Sequence, residues 1–438
     1  MTEIDMNGSR PEEDESEIAE SLKGDVEILK APEKIISVKP FAYQKKLRDN
    51  YRSRKKTWEW FSEQAKKEEQ IKSFRSELLK NTYRLDKEAH SKLYDISREV
   101  CEKLSIDAEV TLYQENNSIQ LNAGISILEK EAHIVLSGNL LSLLNDDELK
   151  ALLGHELSHY LFYKLEDESF EITQRIILAL ANDSRSEDAV IETARIFQLY
   201  MELFCDLGSY KVCEDYRPVI QTLVKMNTGL THVNAESYVK QAEEILSSEN
   251  ESAKGFSHPE TYIRSIALKL FAEDDKDYLK NLEKLIEGPL DLSNLDIFKQ
   301  LTMQDLTKDI LQCIVKPGWM NSSAVLNLCK SFFADFFKSD KHKSITEIAA
   351  VLEASRDSVK EYICYLLLDF AKVDTRLEAA PLGFTLEIAE LLSLQNYYEK
   401  LLRKELKLTV RNFKKLKENA MSELQQVKES KDESLYSE

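Results

Sequence analysis

The segment Asn145 to Tyr163, NDDELKALLGHELSHYLFY, limits the possible folds of this chain more than any other stretch of the sequence. Asn145 is placed as an N-cap, with Glu148 at the third position of a capping box and Asp146 and Asp147 at the positive end of the helix dipole. A helix is therefore expected to begin just before His155. Leu149, Leu152, Leu153 and Leu157 form its apolar side, which has to be covered by a core. His155 and His159 stand four residues apart, so both imidazoles leave one face about one turn from each other. That spacing suits two nitrogen ligands of one tetrahedral zinc ion. Glu156 is rotated by roughly 100° from His155, near enough to act on a hydrolytic water as general base without being a ligand.

A catalytic zinc site takes three protein ligands and keeps one position open. A second element must then supply the third. Ser186 to Glu214 has the pattern of a long helix, and within its apolar stretch FQLYMELFCDLG it carries Glu202 and Asp206 four residues apart. Carboxylates on an apolar face are costly to bury unless they bind something. Glu202 is thus assigned as the third ligand of one zinc ion per chain, and Asp206 as the acceptor of the remaining ring N–H of His155 or His159. The other reading of this pair is surface charge on an amphipathic helix. The six cysteines are scattered without a C-x-x-C pair and read as reduced thiols rather than ligands.

With 438 residues the chain has room for two folded units plus tails. Residues 1–35 are acidic and poor in aromatics and are expected to be a disordered tail. A helical segment follows over 36–84. Residues 85–275 form the unit that carries the metal motif, opening with short β-type runs at Glu109–Tyr113, Ser118–Leu121, Gly124–Leu128 and His133–Ser137. From Leu140 onward the pattern is almost wholly helical. A polar stretch near 275–290 marks a boundary before a helical domain at 285–411, and residues 412–438 are a charged tail. The expected class is α+β, predominantly α, with a small sheet, a site helix and an all-helical C-terminal domain.

A net charge of −19 argues against a general nucleic-acid binder. The stretch Lys45 to Lys72 is a local exception, basic and carrying Trp58, Trp60 and Phe61; it is read as a solvated helical face or as a contact for an acidic partner or a membrane surface. No apolar run is long enough to cross a bilayer, and the first residues lack the features of a secretory signal, so a cytoplasmic protein is expected.

These residues resemble the M48 family of zinc metallopeptidases over roughly 85–270. The resemblance is carried by LNAGIS with Asn122 and Ala123, by HIVLSGNLLSLLNDDELKALLGHELSH, by Glu202 to Asp206, and by SHPETYIR. It implies a zincin-like domain and a zinc-dependent endopeptidase whose protein substrate lies extended beside an edge strand. It further implies that Asn122 and Ala123 border the cleft and that His258 and Arg264 contact substrate or transition state there. Leu199 and Cys205 stand where the family often has Arg and Ala, so no substrate identity is carried over. The C-terminal region, LLLDFAKVDTRLEAAPLGFTLEIAELLSL, faintly resembles TerB-like helical domains, although Thr375 follows Asp374 where Gly is usual. The competing reading is a latent or chaperone-like protein that keeps the zinc fold as a binding module. In either case the C-terminal helices could receive a protein partner.

Overall fold

A computed structural model describes residues 38–63, 68–116, 119–248, 252–255, 257–339 and 341–430. The acidic tail expected over 1–35 and residues 431–438 lie outside the described residues. Among the described residues three helices come first, α1 (Ala42–Ser53), α2 (Lys55–Ser62) and α3 (Glu68–Asn81), then β1 (Thr82–Arg84) and α4 (Ser91–Leu104). Strands β2 (Glu109–Glu115), β3 (Asn122–Leu128) and β4 (Glu131–Ser137) lead through the single turn α5 (Leu140–Leu143) into α6 (Asp146–Lys164). Next are α7 (Ser169–Ala181), α8 (Asp188–Cys213), α9 (Tyr216–Thr228), α10 (Ala235–Ser248), α11 (Thr261–Ala272) and α12 (Tyr278–Ile286). The C-terminal helices are α13 (Ile297–Ile314), α14 (Ser323–Phe332), α15 (Ile345–Glu353), α16 (Asp357–Ala371), α17 (Ala380–Leu391), α18 (Gln395–Glu405) and α19 (Val410–Ser430). No helix among the described residues is long and apolar enough to cross a membrane.

The four strands form one sheet in the order β1-β2-β4-β3, with β2 parallel to β4 and the other two pairs antiparallel. Ala132, Ile134 and Leu136 alternate along β4 and are fully buried against α4 and α6, which fixes the sheet's inner face. β3 is an edge strand and begins at Asn122, paired with Ser137. The strand expected at Ser118–Leu121 does not form among its described residues; Ile119 is 96% exposed and so has no buried face to contribute. β1 takes a place at the other edge instead.

The anticipated N-terminus of α6 is present in full. Asn145 Oδ1 accepts from the Glu148 amide at 3.0 Å, and Glu148 Oε2 accepts from the Asn145 amide at 2.9 Å. Leu149, Leu152, Leu153 and Leu157 are buried as their spacing predicts. α8 crosses α6 closely because both helices present glycine at the contact. A Cβ on Gly208 would lie 1.8 Å from Ser158 Oγ, and one on Gly154 would lie 3.1 Å from Ser209 Cα.

The C-terminal helices enclose an apolar cluster running from Met303 to Leu424. Phe413, Ala420 and Leu424 of α19 belong to it, so the charged stretch from 412 is helical to Ser430 and packs one side of that helix on the cluster. Of the aromatic residues near the N-terminus, Trp58 and Phe61 pack against the core while Trp60 is exposed.

Candidate metal centre

The close crossing of α6 and α8 decides what faces the two imidazoles. The rings of His155 and His159 lie 5.2 Å apart, nearly perpendicular at 80°. Glu202 Oε2 is 3.3 Å from His155 Nε2, and Glu202 Oε1 is 3.8 Å from His159 Nε2. Asp206, one turn further along α8, takes His155 Nδ1 at 3.0 Å and so turns the other ring nitrogen toward Glu202. Asp206 is itself gripped by Arg264 of α11, which donates from Nε at 2.7 Å and from Nη2 at 2.6 Å, a bidentate pair. His258 lies on the irregular stretch before α11, more than half exposed. Its Nε2 is 3.4 Å from Glu202 Oε2, and Ser257 Oγ is 2.9 Å from its Nδ1.

Asn122 and Ala123, at the start of edge strand β3, line a small cavity of about 70 Å³ together with His155, Glu156, His258 and Arg264. A much larger cavity of about 1120 Å³, between α12 and α15, touches none of these residues. The candidate site residues that line a cavity therefore line the smaller one. All nine residues singled out from the sequence lie at or beside a single centre.

Burial and charge set the protonation states. Burial opposes a charged ring on His155, but its hydrogen bond to Asp206 and the adjacent Glu202 carboxylate outweigh this and raise it to about 10. Burial drives His159 down to about 4, leaving a neutral imidazole. Burial also raises Glu156, to about 7, with His155 and Arg264 opposing. Glu202 is desolvated as well, yet His155, His159 and Arg264 hold it well below the ordinary carboxylate range.

Glu202 Oε2 is buried and accepts no hydrogen bond, although two imidazole nitrogens face it. An ionised, orphaned oxygen beside two ring nitrogens fits a borderline-soft divalent cation held by nitrogen and oxygen donors. The structure also brings in a thiol that the sequence reading set aside. Among the described residues, His155, His159 and Cys205 present ligand atoms within 4.8 Å of one another. Burial, with Glu202 and Asp206 nearby, keeps the Cys205 thiol protonated, whereas Glu202 is already ionised, so the carboxylate is the better donor. The spacing of Cys205 from Glu202, three residues along one helix, is the signal that could have placed it here.

Residues 88–269 match the model of Peptidase family M48. No curated protein and no solved structure matches the chain. The M48 match takes in the chain from α4 into α11, with every residue of the centre from Asn122 to Arg264. It supports a metallopeptidase, a hydrolase acting on protein, and zinc is the ion such peptidases typically use.

Proposed function

We propose that this protein is a zinc-dependent endopeptidase that holds one ion per chain with His155, His159 and Glu202 and cleaves extended protein substrates. The observation that carries this reading is the buried, unpartnered Glu202 oxygen faced by imidazole nitrogens inside the M48-matching segment. When bound, the ion supplies Lewis-acid polarisation of the scissile carbonyl and makes water more acidic. Glu156 takes the proton from the attacking water and passes it to the leaving amine, for which a carboxyl raised to about 7 is well matched. Asp206 holds the tautomer and orientation of His155, and Arg264 holds Asp206. The free edge of β3, beginning at Asn122 and Ala123, gives the substrate main chain a strand to pair with, which demands little of its sequence. His258, at the exposed rim, contacts the reacting carbonyl.

The C-terminal helices are proposed to receive a protein partner. Asp374, the position singled out by the TerB-like resemblance, accepts the Arg376 amide at 3.0 Å and pairs with its guanidinium, so its role is to cap a turn. All six cysteines are free, which fits a reducing cytoplasmic compartment.

A latent protein is the second reading, favoured by one specific contact: His258 Nε2 already reaches Glu202 Oε2 at 3.4 Å and could close the position that substrate needs. Elemental analysis of wild type and Glu202→Ala, with turnover of an unfolded protein with and without chelator, tests the primary reading. Stoichiometric zinc lost in Glu202→Ala and chelator-sensitive cleavage are expected; a zinc-free wild type with unchanged cleavage would overturn it. The sign of the His258→Ala effect separates the readings, since activity falls if His258 assists and rises if it blocks.

A further inference from the structure

His258 is exposed and belongs to no helix or strand, yet its ring stays within 3.4 Å of a buried carboxylate. Ordering such backbone costs conformational entropy, so something must hold it. The holding groups are found on α8 and at the start of α11. Arg195, buried two turns before Glu202 on the same helix, donates from Nη1 to the carbonyls of Ala253 and Gly255, both at 3.0 Å. Its remaining fork, Nε and Nη2, is fixed by Glu192 at 2.7 Å on each oxygen.

From the other side Glu260 Oε1 accepts the amides of Lys254 and Gly255 at 2.9 and 3.0 Å. The Ala253 amide, in turn, donates to Leu285 O of α12 at 2.7 Å. Gly255 then packs directly on the backbone of His258, where a Cβ would come within 1.9 Å of the His258 carbonyl oxygen. Ser252–Gly255 is thus strapped on both edges, and His258 rests on the strap.

A buried Arg–Glu pair is a weak source of stability, because desolvation cancels most of its attraction. Here four donated hydrogen bonds leave the guanidinium almost saturated, and two of them go to the backbone that supports His258. We propose that Arg195, oriented by Glu192, is a positioning residue whose function is to set His258 over Glu202. The proposal rests on the role given to His258 in the peptidase reading. Because Arg195 and Glu202 share α8, the ligand and the rim histidine are placed by one rigid element, and a small shift of the strap moves His258 relative to the centre.

The test is a double-mutant cycle of Arg195→Met and His258→Ala, read by kcat and KM on dye-quenched unfolded casein and by hydrogen exchange at the amides of Lys254 and Gly255. With His258 present, Arg195→Met is expected to change kcat about tenfold in the same direction as His258→Ala, with KM within about twofold. On the His258→Ala background it should change kcat little, because the residue it positions is gone. Equal fold-changes on both backgrounds would mean a merely structural role and overturn the proposal. Exchange at Lys254 and Gly255 should quicken at least about tenfold in Arg195→Met. Unchanged protection overturns the strap even if no turnover is found. Faster exchange together with a silent His258→Ala leaves the strap standing and overturns its catalytic purpose, which locates the failure in the role of His258. If Arg195→Met does not fold, Arg195→Lys replaces it, since an ammonium keeps the pair with Glu192 but cannot fork to two carbonyls and a carboxylate.

Discussion

The interface of α6, α8 and α11 and the core of α13 to α19 are both well-packed helical assemblies, but they bury different things. In the first, Glu156, Glu192, Arg195, Glu202, Asp206 and Arg264 are all shielded from water within one set of crossing helices. In the second, between Ile297 and Ser430, Asp374 is the only buried charged side chain among the described residues. Burying charge costs several kcal/mol per ion after relaxation, whereas burying a Leu or Phe side chain stabilises by about 1.5–3 kcal/mol. A chain that builds one core with almost no buried charge has little structural need for a cluster of charges in the other. The difference teaches that the charges gathered around α8 are not there for packing, which supports the proposed role of holding an ion.

The largest expected effect breaks chemistry without touching either core. Glu156→Gln keeps shape and metal, and turnover should fall by roughly 10³-fold. Elemental analysis alongside a peptidase assay checks this, and a Gln variant that cleaves at the wild-type rate would remove Glu156 from the mechanism. Leu367→Ala does the converse. It opens a void in the apolar C-terminal cluster, where Leu367 is fully buried, and should cost about 3 kcal/mol in chemical denaturation. Its zinc content should stay at the wild-type level; loss of the ion would show that the two cores are energetically one.

Chelation sharpens the contrast at a somewhat smaller scale. With free zinc at 100 times its Kd, stripping the ion should lower stability by about 2.7 kcal/mol, seen as a drop in Tm that added zinc reverses. The same drop should appear in Leu367→Ala and vanish in Glu202→Ala. A chelator effect that persists without Glu202 would mean that the stabilising ion sits elsewhere.

Local signals explain what could be read from the sequence, and their limits explain the rest. The cap at Asn145, the leucine face of α6 and the His155–His159 spacing all operate within a few residues, so the helix and the direction of its imidazoles were legible. The predominantly helical class with a small sheet was legible from the change of period near Glu109. β1 was not, because three residues carry no period, and Ser118–Leu121 misled because an alternating run needs a partner that its exposed Ile119 lacks. Pro381, a residue that usually interrupts a helix, stands in the first turn of α17, where a missing N–H is no loss. At the centre, the approach of His258 to Glu202 and the grip of Arg195 on Ala253 and Gly255 join residues 56 to 60 positions apart in the chain. Such contacts are set by how segments distant in the chain pack together, and no local pattern encodes them.

The smallest effect asks how far the legible part supports the rest. Asn145 is far enough from His155 to touch no site residue, but its side chain and the Glu148 carboxylate satisfy two backbone amides at the start of α6. Glu148 Oε2 also takes Lys225 Nζ at 2.8 Å in a buried pair, which links the cap to α9. Asn145→Ala removes one acceptor and leaves that pair intact, so urea denaturation should show a loss of about 1 kcal/mol with an unchanged m-value. Metal content and turnover of the folded variant should match wild type, because the α6–α8 crossing at Gly154 and Gly208 lies more than two turns further on. A loss of zinc in this variant would mean that the imidazoles are held by the integrity of the whole helix rather than by the crossing and Asp206, and the contrast between a locally built centre and a plain apolar core would have to be given up.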